Sequence, residues 1–242
     1  MKFETPKIDC SYCPIRHRAV CARCEPDELE RLNDVKFYRS FTAGQPIAFG
    51  GEPSEFVASV VSGVATLTGS LEDGRTQVVG LLLPSDFMGR PGRDSIAHDV
   101  VAATDVTLCC FRKKPFEQLL IEMPHVSERL LEMALDELDA ARDWMLLLGR
   151  KTAREKVASF LMLVMRRSAN PEAKSLGDPS RIELPLSREV VANFLGLTIE
   201  TVSRQFSGLR KDGVIDLEGA RSVLIKEPHQ LADLAGYDDY LT

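Results

Sequence analysis

Long apolar runs are missing from these 242 residues: no stretch of eighteen apolar residues occurs, which argues against a membrane-spanning helix. The opening MKFETPKIDCSYC has no apolar stretch followed by a cleavage site, so no export signal is visible and the expected location is cytoplasmic. Thiols stay reduced there, and a disulfide framework for the six cysteines falls away. Signatures of catalysis are missing as well. There is no phosphate-cradling glycine motif, no G-x-S-x-G elbow and no H-E-x-x-H helix. A nucleophilic pair could be assembled only from Cys24 and His17, and nothing orients it. The expectation is that the chain is not an enzyme.

Excess positive charge is also missing, since the formal net charge is −6. That average conceals an asymmetry. Between Lys151 and Asp212 there are eleven Lys and Arg against seven acids, whereas from Gly213 onward six acids face two bases. The first of these segments can approach a polyanion despite the acidic whole. From Cys10 to Cys24 there are three arginines, Arg16, Arg18 and Arg23, and no acid at all.

What is present is cysteine in an unusual arrangement. Cys10, Cys13, Cys21 and Cys24 fall in the run C-SY-C-PIRHRAV-C-AR-C, and the adjacent pair Cys109 and Cys110 lies far downstream. Thiolates grouped this way suit a soft metal, and flanking positive charge lowers thiol pKa values. Two readings stay open on spacing alone: an iron–sulfur cluster, or structural zinc on the two C-x2-C pairs. The zinc pattern leaves Cys109 unexplained. His17, between two arginines, reads as a solvated loop residue.

From Phe41 to Phe111 the sequence is short and β-like. The pieces Phe56–Val61, Val64–Thr68, Val78–Leu83 and Val100–Phe111 are separated by turn residues, among them Gly63, Asp73-Gly74 and Pro84-Ser85-Asp86. Many short strands at this spacing predict a small antiparallel barrel or roll. The period then changes. Pro124 suits a first helical turn, and His125–Leu148 contains no Pro or Gly. Leu131, Ala134, Leu138, Ala141, Met145 and Leu148 are spaced 3, 4, 3, 4, 3, the pattern of a coiled-coil seam. Such a seam implies a partner helix, hence a homodimer. Gly149-Arg150-Lys151 is expected to close the helix as a hinge.

Ala153–Arg167 reads as an amphipathic helix and Ser168–Pro179 as a polar loop. Ser187 is a good N-cap for a short helix that stops at Gly196, and Thr198 can cap a second over Ile199–Lys211. Val214–Leu217 and Ser222–Ile225 follow as a strand pair. Two short helices, a tight turn and a hairpin make a winged helix-turn-helix, which binds double-stranded DNA. On the second helix Glu200, Thr201, Ser203 and Arg204 face outward, while Val202, Phe206 and Leu209 belong to the core. Arginine can donate bidentately to guanine and glutamate can accept from cytosine N4.

Taken with C-x2-C and a third cysteine ahead of a β-roll, a long dimer helix and the motif E-T-V-S-R, the chain resembles the FNR branch of the CRP/FNR transcription regulators. It is most similar to the oxygen regulators of α-proteobacteria. The resemblance implies an α+β fold: an N-terminal cysteine loop, an antiparallel β-roll like a cyclic-nucleotide-binding domain, a dimerisation helix, and a C-terminal winged helix-turn-helix. The expected boundaries are 1–30, 31–123, 124–150 and 151–242. It further implies a [4Fe–4S] cluster on Cys10, Cys13, Cys21 and Cys109, with Cys24 and Cys110 as alternatives. Glu200, Ser203 and Arg204 would read an inverted repeat similar to TTGAT-(four bases)-ATCAA, and the Leu71–Thr76 hairpin would touch RNA polymerase. Some relatives carry an acidic residue in the seam where Ala141 stands here. Nucleotide-binding rolls need Gly-Glu followed by Arg-Ser or Arg-Thr. Here Arg90 follows Gly89 and no such pair comes after it, so no cyclic nucleotide is expected.

Overall fold

The computed structural model describes residues 8–168, 179–184, 186–219 and 221–236. The expected polar loop after Arg167 therefore falls almost wholly outside the described residues. Two compact units divide the chain, Met1–Ala141 and Arg142–Thr242.

In the first unit a 3-10 turn at Cys10–Tyr12, started by the Asp9 carboxylate accepting from Ser11 N at 2.8 Å, opens the cysteine loop. Helix α1 (Pro26–Val35) follows, begun by a capping box in which Glu25 and Glu28 each accept from the other's backbone N–H. Eight strands come next: β1 (Lys36–Phe41), β2 (Pro46–Ala48), β3 (Phe56–Ser62), β4 (Ala65–Ser70), β5 (Thr76–Leu82), β6 (Phe87–Met88), β7 (Asp99–Ala102) and β8 (Val106–Arg112). They form two antiparallel four-stranded sheets, ordered β1-β8-β3-β6 and β2-β7-β4-β5. The predicted β-roll is present. The stretch Val100–Phe111, read from sequence as one apolar piece, is in fact two strands in different sheets. Ala103-Thr104-Asp105 turns between them, and Thr104 Oγ1 accepts from Val64 N at 2.9 Å. Gly63 stands against this turn at φ +81°, where any Cβ would run into the Asp105 carbonyl.

The core between the sheets takes alternate residues of the central strands: Phe56, Ala58 and Val60 from β3, and Val106, Leu108 and Cys110 from β8. The residues in between, Val57, Val61, Cys109 and Phe111, point to the opposite face. A strand places neighbours on opposite faces, so a sheet covered on both sides reads as a continuous apolar run. On that second face lie the cysteine loop, α1, α2 (Lys113–Glu122) and the start of α3 (Pro124–Arg150), with Phe116 and Met123 fully buried. Helix α3 ends at Arg150, within the Gly149-Arg150-Lys151 stretch expected to close it, and Lys151 lies outside the helix.

The second unit is built on α4 (Ala153–Ser168), whose Val157, Phe160, Leu161 and Met162 are completely buried. Helix α5 (Arg188–Leu195) starts where Ser187 Oγ accepts from Val190 N and stops at Gly196 in the left-handed region, φ +60°. The buried Lys156 ammonium donates to the Leu195 carbonyl at 3.3 Å, satisfying one of the orphan acceptors at that helix end. Helix α6 (Ile199–Lys211) is capped by Thr198, as predicted, and buries Val202, Phe206 and Leu209. The expected strand pair, β10 (Ile215–Leu217) and β11 (Ser222–Ile225), is joined by β9 (Ser180–Glu183) into three antiparallel strands. A last helix, α7 (Pro228–Ala235), packs on α4, where Ser159 Oγ reaches the Ala235 carbonyl at 3.4 Å.

Candidate metal centre and nucleic-acid interface

Sheet register decides which downstream cysteine meets the loop. Cys109 pairs with Tyr38 on β1 and Ser59 on β3, and packs into the same cluster as Cys10, Cys13, Cys21 and Cys24. Cys110 points the other way, fully buried between the sheets. All six cysteines are free thiols.

The loop is shaped by its own arginine. Arg16 donates to the carbonyls of Ala22 at 3.1 Å and Cys24 at 2.9 Å, which curls Cys21–Cys24 back over the first C-x2-C pair. Lys36 anchors the other side. Its ammonium lies 3.1 Å from Cys10 Sγ and donates to the Ile8 carbonyl at 2.6 Å, while the Tyr38 hydroxyl donates to the same carbonyl at 3.0 Å. Sequence reading missed Lys36 and Tyr38. Their signal was the K-x-Y alternation of a strand whose partner carries Cys109, invisible until β1 itself is recognised.

Burial raises these thiols. It takes Cys21 up to about 11, with the neighbouring Cys13 and Cys10 adding to the effect. It takes Cys24 to about 12, reinforced by Cys21 and Glu28. Cys13 is raised by burial and then by Cys10, with Lys36 and Arg16 opposing. Cys109 is raised furthest, first by burial; Lys36 opposes, while Cys10, Cys13 and Cys21 add to it. For Cys110 burial again dominates, up to about 12, but no cysteine of the loop acts on it. Cys109 thus lies within electrostatic reach of Cys10, Cys13 and Cys21. Buried thiols of this kind give up their protons readily only to a group that supplies positive charge, and a soft metal does so. The donor set therefore fits a thiolate-bound metal group.

A single zinc ion with Zn–S bonds of about 2.3 Å needs its sulfurs roughly 3.8 Å apart. Among the described residues, the donors that converge within 4.8 Å of one another are those of Cys24, Glu28 and His125, not the four loop cysteines.

The loop is also tied to α3. Arg129 Nη2 donates to the Arg18 carbonyl at 2.8 Å and Arg129 Nη1 pairs with Glu132 at 3.2 Å, while Arg23 pairs with Glu132 at 2.9 Å. Further along the helix, Leu131, Leu138 and Met145 are 60%, 45% and 66% exposed, and Ala134 and Ala141 are exposed beside them. Leu135 and Leu146, outside the predicted stripe, are exposed too. Leu148 departs from this pattern. It is half-buried, and its Cδ2 would lie 3.7 Å from a Cβ built on Gly196.

On α6, Glu200, Ser203 and Arg204 are exposed and Thr201 is half-buried. Arg204 Nη2 donates to Thr201 Oγ1 at 3.2 Å, and Thr198 Oγ1 lies 3.1 Å from that same oxygen. This chain of hydroxyls holds the guanidinium on the helix surface beside Glu200. The Glu200 carboxyl sits below its usual range because its own backbone N–H and Thr198 donate to it, with Arg204 adding to the effect. It stays ionised and offers only acceptor oxygens.

A Crp-like helix-turn-helix domain matches residues 155–234, and a cyclic nucleotide-binding domain matches residues 38–122. The transcriptional activator protein FnrL of Cereibacter sphaeroides is 59% identical over 237 residues, which cover 97% of this chain and 96% of that one. The nitrogen fixation regulation protein FixK of Bradyrhizobium diazoefficiens is 38% identical over 229 residues, 93% of each chain. Among solved structures, FixK2 from Bradyrhizobium japonicum superposes with a TM-score of 0.75 at 34% identity, covering 83% of this chain and 97% of its own.

Proposed function

Because the chain belongs to the CRP/FNR family of DNA-binding transcription regulators, in its α-proteobacterial branch, we propose that it is an oxygen-responsive member that works in the cytoplasm as a homodimer. Its relatives are transcription factors rather than enzymes, and the helix-turn-helix carries the DNA-binding role. In this reading Cys10, Cys13, Cys21 and Cys109 hold a [4Fe–4S] cluster. When bound, the cluster supplies a link between loop and sheet that oxygen can dismantle.

The observation that carries this reading is the alternation at Cys109 and Cys110. One thiol packs with the four loop cysteines, within electrostatic reach of Cys10, Cys13 and Cys21, and the other lies in the core between the sheets. The chain's own residues do the rest. Lys36 offsets negative charge at Cys10, and Arg16 keeps Cys21 turned inward. Arg129, Arg23 and Glu132 transmit the order of the loop to α3. Pairing of α3 along Leu131, Ala134, Leu138, Ala141 and Met145 then sets two α6 helices on successive major grooves of an inverted repeat similar to TTGAT-(four bases)-ATCAA. Glu200, Ser203 and Arg204 read its bases. Contact of the Leu71–Thr76 hairpin with RNA polymerase, and activation or repression of genes of anaerobic metabolism, complete the proposal.

The test is anaerobic purification with iron and sulfide analysis of Cys109→Ser and Cys110→Ser. Cys109→Ser is expected to lose iron, sulfide and DNA binding, whereas Cys110→Ser keeps its iron and loses only stability. A Cys109→Ser chain with full iron content and activity overturns the assignment.

A further inference from the structure

The cysteine loop ends at a second group of donors that the cluster reading leaves unused. Cys24 closes the loop and is only 4% exposed. Glu28 stands in the first turn of α1, and His125 in the first turn of α3. Their ligand atoms, one thiol sulfur, one carboxylate oxygen and one imidazole nitrogen, lie within 4.8 Å of one another. Two chain segments far apart in sequence, the stretch that carries Cys24 and Glu28 and the start of α3 with His125, thus converge on one point.

The histidine supplies a second, independent observation. Its Nε2 is a buried polar atom, 2.9 Å from Glu28 Oε2, yet it makes no hydrogen bond of acceptable geometry. That carboxylate oxygen is already engaged: Glu28 Oε2 accepts from Glu25 N at 2.8 Å in the capping box. With the imidazole protonated this contact is an ion pair; with the imidazole neutral, the same nitrogen faces the carboxylate and the thiol as a ligand atom without a hydrogen bond of its own.

We propose that Cys24, Glu28 and His125 form a mononuclear site for a borderline divalent cation, Zn²⁺ in the first instance, distinct from the cluster. Sulfur, nitrogen and oxygen donors together suit such an ion, and three protein ligands leave a fourth tetrahedral position for water. The Cys24 thiol exchanges its proton for the metal, so binding releases one proton to solvent and nothing is oxidised or reduced. The bound ion would join the end of the cysteine loop and the first turn of α1 to the first turn of α3, fastening the base of the dimer helix. The proposal rests on the cluster reading in one respect only: it requires that Cys24 is not a cluster ligand.

The experiment uses the full chain, reconstituted anaerobically and freed of other metals, titrated with Co²⁺ as a coloured stand-in for Zn²⁺. One equivalent is expected to bind, with a thiolate-to-cobalt band of the intensity of a single sulfur and with iron and sulfide content unchanged. Zn²⁺ should displace it. His125→Ala should weaken binding at least tenfold. Glu28→Gln should weaken it as well, while keeping the side-chain oxygen that begins α1 and hence the helix content. Absence of binding, or binding indifferent to both variants, overturns the proposal, as does loss of iron in Cys24→Ser. Should the chain take up no iron or sulfide at all, the cluster reading fails by itself. The cobalt band then still decides: one thiolate supports the site, and three or four place the ion on the loop cysteines and refute it.

Discussion

Leu138→Ala should weaken dimerisation without disturbing the helix that carries it. Leu138 sits mid-way along α3 and is 45% exposed in the single chain. Burying a leucine side chain completely is worth about 1.5–3 kcal/mol, so covering the exposed 45% is worth about 0.7–1.4 kcal/mol per copy. A twofold axis places two copies in the interface, giving about 1.4–2.7 kcal/mol. That corresponds to a loss of dimer affinity of about 10- to 90-fold. Alanine is the best helix former, so circular dichroism should show no loss of helix content. The measurement is sedimentation equilibrium under strict anaerobiosis on chain with full iron content. Ile121→Ala is the control, because Ile121 on α2 is 75% exposed yet outside the stripe. An unchanged dimer constant for Leu138→Ala, or an equal shift for the control, would refute the assignment of this face.

Arg204→Ala should cost about 1–3 kcal/mol on the TTGAT-type site and much less on random DNA, because a bidentate contact to guanine is lost. Lys211→Ala, by contrast, should weaken both about equally and flatten the salt dependence. Competitive fluorescence anisotropy at two salt concentrations separates them, and equal losses for Arg204→Ala would make it a phosphate anchor. In the metal-free chain, burial pushes Cys21 up to about 11 from its ordinary 9.0, so its thiolate fraction near pH 8 drops about 100-fold. Mass-resolved iodoacetamide labelling should accordingly find Cys21 slow at pH 8, accelerating about tenfold per pH unit up to pH 10. Labelling at the rate of a free cysteine peptide would show that the metal-free loop does not stay folded against the sheet.

The parts of this molecule that were legible in the sequence are those written in local chemistry. Ser187, Gly196 and Thr198 announce the helix-turn-helix because caps and left-handed stops act through neighbouring backbone groups, and α5 and α6 fall where those residues put them. The β-roll was legible as a class through its turn residues. Its connectivity was not, since nothing within Val100–Phe111 reveals that the two strands it contains join different sheets. Lys36, Tyr38, Arg129 and His125 escaped notice for the same reason. Each acts on the cysteine loop across a long sequence separation, and a lysine, a tyrosine, an arginine or a histidine alone looks like surface.

The position of the loop bears on how a signal could reach DNA. In the proposed dimer, Ala141 in the seam would bring no charge to repel its twin when the loop loosens, so any gating would have to come from elsewhere. The bonds from Arg129 to the Arg18 carbonyl and from Arg23 to Glu132 hold the loop against α3 where the exposed stripe begins. They are one exposed ion pair and one hydrogen bond, individually worth little. Weak contacts of this kind suit a switch: they follow the order of the loop rather than impose it. A metal group that fixes the loop would add its binding free energy to the ordered state alone, and the balance between ordered and released loop then shifts by that differential affinity. On this argument α3 would respond to the loop through Arg129 and Glu132, and in the proposed dimer the stripe from Leu131 to Met145 would report the change rather than generate it.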